Sequence, residues 1–209
     1  MGSICAKLAE ADTLALMNKT RLEAFSDGVI AILITIMVLE LKIPHESTWA
    51  GLREVQPVFL AYVLSFIYLG IYWNNHHHLM HATHHVSGGV LWANLHLLFW
   101  LSLVPWATAW MGENRFTAIP TALYGCILLA AAIAYYILVV CIIRVEGKDS
   151  HLARAVGRDW KGKISPLFYL AAIPTALMGY QYVSDALYAL VALIWLVPDP
   201  RIEKTLRAH

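Results

Sequence analysis

An apolar stretch that begins directly after an aspartate constrains this chain more than any other feature. Residues 21–42 read RLEAFSDGVIAILITIMVLELK, so Asp27 stands at the mouth of a segment long enough to cross a membrane as a helix. An ionised aspartate costs roughly 2.5–3.5 kcal/mol at the centre of a spanning helix. A chain that carries this carboxylate therefore uses it, either to join helices or to handle ions.

The composition indicates a membrane protein. The chain has 209 residues, of which 59% are hydrophobic and only 14% are charged. Soluble domains carry about 25% charged residues. The low charged fraction therefore predicts a lipid bilayer as the surroundings. The formal net charge is +1, so we predict no nucleic-acid partner. The sequence offers no sign of a cofactor.

Six segments have the length and apolar character of spanning helices. They cover approximately residues 25–41, 55–73, 90–110, 118–143, 164–179 and 182–197, and the last two are short. The prediction is an all-α, polytopic membrane protein with six transmembrane helices per chain. Residues 1–20 form a cytosolic N-terminal segment, residues 21–199 the membrane domain, and residues 200–209 a cytosolic tail.

The distribution of basic residues predicts the orientation. With six crossings and a cytosolic N-terminus, twelve Lys and Arg residues lie on the cytosolic side and only Lys42, Arg53 and Arg115 lie outside. This asymmetry agrees with the positive-inside rule. Five crossings would place Arg201, Lys204 and Arg207 outside, so six crossings and two cytosolic termini are favoured.

One face of the first predicted helix carries a continuous stripe. At 100° per residue its members are Gly28, Ile32, Thr35, Ile36 and Leu39. Asp27 lies well away from this stripe and would face neighbouring helices. Periodicity alone does not distinguish a pore wall from a surface that packs against another helix.

Polar residues at similar depth accompany this helix and predict a structural network. Its expected members are Arg21, Ser26, Asp27, His77 and Asn94. A buried carboxylate needs donor or cationic partners, which these side chains supply. We expect the network to fix the rotation of the first helix.

Three motifs resemble a known family. The pattern Arg21-x-x-x-Phe25-Ser26-Asp27, followed by an Ile/Leu-rich helix ending in Val38-Leu39-Glu40, is similar to the first helix of the transmembrane protein 175 family. The likeness continues through Trp73-x-x-His76-His77 and the Asn94…Pro105 pattern. It covers about the first half of the chain, together with the six-helix count.

The resemblance implies a potassium-permeable cation channel and no catalytic activity. Members of this family are channels of endosomes and lysosomes, with one-repeat relatives in prokaryotes. It implies a homotetramer in a prokaryotic plasma membrane, with the first helix of each subunit lining the pore. Ile32 would form the hydrophobic constriction, Thr35 the polar pore position and Leu39 a second apolar ring. The sequence has no TVGYG-like carbonyl filter. Protons remain open as a second permeant ion.

A histidine-rich segment leaves two alternatives open. His81-x-x-His84-His85 matches one histidine box of membrane desaturases and hydroxylases, but no second box follows. No metal site is predicted beyond adventitious binding of a transition metal at these three histidines. A histidine-box metalloenzyme and a proton or cation carrier are therefore the alternatives to a channel.

Overall fold

A computed structural model describes residues 2–147 and 160–196, with side chains from residue 19 onward. Every regular element in these ranges is helical, which confirms the all-α prediction. The elements are α1 (Gly2–Ile36), the 3₁₀ helix η1 (Met37–Glu40), α2 (Trp49–His81), α3 (Gly88–Ser102), α4 (Val104–Glu113), α5 (Ala118–Glu146), α6 (Trp160–Leu177) and α7 (Gln181–Leu196).

The first four predicted spans appear as long apolar helices. Lys19–Glu40, Trp49–His81, Gly88–Glu113 and Ala118–Glu146 are each long and apolar enough to cross a membrane. The third consists of α3 and α4, which meet at Leu103 just before Pro105. Proline has no backbone N–H, so the helix is interrupted where that donor is missing.

The last two predicted spans are shorter helices. α6 has 18 residues and contains Pro166 and Pro174, whereas α7 has 16 residues and is apolar. Together with α1, α2, the α3–α4 pair and α5, they give six helical segments in the described ranges. That α6 and α7 each cross the bilayer remains a prediction.

The N-terminal segment is continuous with the first span. The sequence predicts a cytosolic segment over residues 1–20 that is distinct from the first span, and in the structure α1 runs without a break from Gly2 to Ile36. No proline or helix-ending glycine separates the two parts. The predicted tail 200–209, with its basic residues, lies outside the described residues, as do the basic residues 148, 154 and 158.

α1 lies at one edge of the bundle. It packs against α2 and α3 and more weakly against α4, whereas α5, α6 and α7 pack mainly on one another and on α2–α4. Side-chain caps define where the two neighbouring helices begin. At the start of α2 the Thr48 hydroxyl accepts from the Gly51 N–H at 3.2 Å, and at the start of α3 Ser87 Oγ accepts from the Val90 N–H at 3.4 Å. Over residues 19–36, one side of α1 therefore remains largely uncovered by the other helices of its own subunit.

Candidate pore-lining face of the first helix

The predicted stripe lies on the uncovered side of α1. Ile32 is 59% exposed, Ile36 39% and Leu39 80%, and Gly28 and Thr35 are also exposed. Large apolar side chains of a membrane helix are exposed in a single subunit where lipid, another subunit or a pore covers them. The geometry therefore makes this stripe available to line a pore between subunits.

The opposite side of α1 is packed into the bundle. Its buried residues are Leu22, Ser26, Ile30, Leu33 and Met37. They recur every three or four residues, so they form one continuous ridge toward α2 and α3. Because this ridge is apolar except for one serine, it anchors α1 and fixes which residues face outward.

The C-terminal end of the stripe differs from the prediction. The α-helix ends at Ile36, and residues from Met37 to Glu40 form a 3₁₀ helix. A 3₁₀ helix turns about 120° per residue, so the angle assumed for Leu39 from 100° steps was wrong. Leu39 nevertheless remains exposed on the surface of the subunit.

Thr35 is the polar member of the stripe. Its hydroxyl lies 3.0 Å from both the Ala31 and the Ile32 carbonyl oxygens, to which it donates its proton. A hydroxyl oxygen keeps acceptor capacity when its hydrogen is used. Thr35 therefore offers an oxygen, not a proton, to anything that passes this face.

A buried hydrogen-bonded chain links three helices behind the stripe. Ser26 Oγ donates to the Leu22 carbonyl at 2.8 Å, and Asn94 Nδ2 donates to Ser26 Oγ at 2.9 Å. His76 Nε2 lies 2.7 Å from Asn94 Oδ1 and donates to it. Ser26, His76 and Asn94 are all fully buried, so buried hydrogen bonds join α1, α2 and α3, while His76 Nδ1 has no partner among the described residues.

The other expected members of the network are arranged differently. Asp27 Oδ1 accepts from the Trp73 indole at 3.1 Å, and His77 Nδ1 lies 3.3 Å from Glu23 Oε1. Arg21 is exposed and forms no ion pair with any side chain that the structure describes.

The buried histidine of the network is therefore His76, and not the predicted His77. Trp73 and His77 are four residues apart and share one face of α2, whereas His76 points about 100° away, toward α3. Helical spacing among these three residues could have separated the two histidines.

The histidine box is not assembled as a metal site. The backbone N–H groups of His84 and His85 donate to Glu146 Oε1 at 2.7 and 2.8 Å, while His81 stacks on the His77 ring. No group of three His, Cys, Asp or Glu side chains that could hold a metal occurs in the described ranges. This segment instead ties the α2–α3 loop to the end of α5.

A buried polar cluster that was not predicted from the sequence joins the other helices. Thr108 Oγ1 donates to Ser65 Oγ at 2.6 Å, and Ser65 Oγ lies 2.9 Å from the Tyr124 hydroxyl. Tyr68 donates to the Tyr188 carbonyl at 2.7 Å. These contacts join α2, α4, α5 and α7. The sequence feature that could have indicated them is the presence of hydroxyl side chains within otherwise apolar spans.

The fold and the site define a multi-pass helical membrane protein whose first helix carries an uncovered, mostly apolar face. The family described as endosomal/lysosomal potassium channel TMEM175 matches residues 21–105. A potassium channel of Chryseobacterium sp. (strain P1-3) is 58% identical over 193 residues, which are 92% of this chain and 100% of that relative. The chain therefore belongs to the TMEM175 family.

Two further similarities extend this result. The crystal structure of a lysosomal potassium-selective channel TMEM175 homolog from Chamaesiphon minutus matches with a TM-score of 0.76 and 27% identity, covering 87% of this chain and 97% of that one. The endosomal/lysosomal proton channel TMEM175 of Danio rerio is 39% identical over 80 residues, which are 32% of this chain and 15% of that protein.

Proposed function

We propose that this protein is a potassium-permeable cation channel in which four copies of α1 surround a central pore. The observation that carries the proposal is the uncovered stripe from Gly28 to Leu39. It lies on the helix that bears the Phe25-Ser26-Asp27 motif. Family membership and relatives named potassium channels support the same function.

The proposed throat is hydrophobic. Four Ile32 side chains would form the constriction, with Leu39 as a second apolar ring and Ile36 and Gly28 completing the wall. Narrow apolar pores gate by losing water, so small movements of α1 would switch conduction. The Thr35 oxygens provide the polar position between the two rings. Selectivity would then depend on pore diameter and on these oxygens, and a moderate preference for potassium over sodium follows.

The polar contacts behind the stripe act as a framework in this proposal. Ser26, Asn94 and His76 hold α1 against α2 and α3, and Asp27 bonds Trp73 instead of facing the stripe. We assign these residues the role of setting pore radius, with no direct contact to ions. Arg21 is exposed, and we assign it to the cytosolic membrane surface.

The proposed location is the plasma membrane of a prokaryote, with both termini in the cytosol. The excess of basic residues in the segments assigned to the cytosol supports this orientation. Potassium and other monovalent cations are the proposed ligands, and protons are a further candidate because relatives are named proton channels.

Recording from purified protein in planar bilayers tests the function. Under potassium, sodium and proton gradients, we expect passive currents whose reversal potential follows potassium more closely than sodium. Saturable, coupled exchange without channel currents would instead indicate a carrier and contradict the proposal.

A further inference from the structure

Three successive contacts join one face of α1 to one face of α2. Trp73 Nε1 donates to Asp27 Oδ1 at 3.1 Å, His77 Nδ1 lies 3.3 Å from Glu23 Oε1, and Lys19 Nζ donates to the His81 carbonyl at 3.3 Å. The partners are spaced four residues apart on both helices, so each contact lies one turn from the next. We call these three contacts the α1–α2 ladder.

Stacked rings reinforce the α2 side of the ladder. The Trp73 and His77 rings are 6.0 Å apart and inclined by 22°, and the His77 and His81 rings are 6.3 Å apart and inclined by 14°. The central ring, His77, therefore touches both its helical neighbours and α1. Any change in its charge acts directly on how α1 is held.

The ladder contains the imidazole rings of His77 and His81, and the His77 ring is the one that contacts a carboxylate of α1. Histidine is the side chain whose ordinary titration falls between pH 5 and 8. The side chains of His77 and Glu23 are 45% and 25% exposed, so protons from solvent reach the pair.

The charged and titratable groups that the described contacts place beside His77 or the neighbouring rungs lie on α1 and α2. They are Lys19, Glu23 and Asp27 on α1 and His76, His78 and His81 on α2. His76 is buried against Asn94, and His96 accepts from its own helix neighbour Trp100 at 2.9 Å. In the loop that follows α2, His84 and His85 are engaged by Glu146. Glu23 is therefore the carboxylate in direct contact with His77.

We propose that the His77–Glu23 contact is a proton-sensitive positioning contact for the pore helix, and that cytosolic acid reduces the potassium current by tightening it. The inference rests on the proposed function and orientation. Protonation of the imidazole converts its hydrogen bond with the Glu23 carboxylate into an ion pair between opposite charges, which strengthens the contact. A tighter ladder opposes the movement of α1 that would widen and wet the Ile32 ring.

The test records potassium currents from the full-length protein while the pH of the cytosolic face is lowered from 8 to 5.5. The wild-type current should fall by roughly 1.5- to 5-fold, the range that a partly exposed ion pair can produce. Glu23→Gln should remove this fall. His77→Lys, which places a permanent charge opposite Glu23, should hold the current at the low level at both pH values. His78→Gln, the matched neighbour, should keep the wild-type response.

A fall that persists unchanged in Glu23→Gln, or a wild-type current that stays constant or rises on acidification, overturns the proposal. If Glu23→Gln fails to assemble, His77→Lys decides, because an acid-induced fall in that variant contradicts the mechanism. A wild-type protein with no potassium current at any pH would contradict the channel function itself, which is a distinct result.

Discussion

Ile32 is the side chain on which the proposed throat depends. It projects from the uncovered face of α1, one turn beyond Gly28, and its own subunit leaves 59% of it exposed. A ring of four such side chains would exclude water because it presents no hydrogen-bonding group. The proposal therefore predicts that the polarity and width at this single position control both leak and selectivity.

Replacing Ile32 with asparagine should raise the resting current and reduce the preference for potassium over sodium. The amide would hydrate the constriction and remove the dewetting barrier. Bilayer recording of Ile32→Asn against Ile32→Leu, which stays apolar, measures the effect. Identical currents and reversal potentials in the two variants would count against a constriction at this residue.

Asn94 bonds two buried partners, and its loss should lower stability. Asn94→Leu leaves the buried His76 Nε2 without its partner and removes one of the two hydrogen bonds of Ser26 Oγ, which keeps the Leu22 carbonyl. Buried polar groups without partners cost about 1–3 kcal/mol, so the free energy of unfolding should fall by about this amount. Thermal unfolding in detergent measures the change.

The control for Asn94 is Asn114→Leu. Asn114 is exposed and donates only to the Trp110 carbonyl of its own helix at 2.8 Å. Its substitution should change stability by less than about 0.5 kcal/mol. Equal effects of the two variants would show that the α1–α2–α3 chain adds nothing to stability.

At the level of elements, the crossing of α2 and α4 depends on a glycine. A Cβ at Gly112 would lie 2.8 Å from Val58 Cα and 3.2 Å from Ala61 Cβ. Backbone atoms cannot move aside as a flexible side chain does, so Gly112→Ala should destabilise the protein by about 1–3 kcal/mol.

Gly28→Ala is the matched comparison within the same fold. Nothing lies within 4 Å of the position its Cβ would take, so the stability of the subunit should be unchanged or higher. Measuring both melting temperatures tests the helix crossing. A drop for Gly28→Ala as large as that for Gly112→Ala would contradict the packing described.

The helices could be predicted because each of them is a long apolar segment of the sequence. The first four spans appear where hydropathy places them. The pairing of His76 with Asn94 was not predicted, although the helical spacing of Trp73, His76 and His77 could have separated the two histidines. The change to a 3₁₀ helix at Met37 has no sequence signal among residues that all favour a membrane helix. The Ser65–Tyr124 contact depends on how separate spans approach one another, which local patterns do not contain.

At the level of the whole molecule, the proposed pore stripe lies at the edge of one subunit. In the proposed arrangement, further copies around an axis complete the conduit. In mild detergent, light scattering should give a protein mass four times the 23.4 kDa of one chain. A stable monomer or dimer that still conducts potassium would contradict the tetrameric arrangement.

Cysteine accessibility along α1 tests the central claim most directly, in a background where Cys5, Cys126 and Cys141 are replaced. Charged thiol reagents applied during potassium recording should block Thr35→Cys and Leu39→Cys channels. They should spare Leu33→Cys, which lies on the buried side. Block at all three positions alike, or at none while potassium current persists, would contradict a pore lined by this stripe.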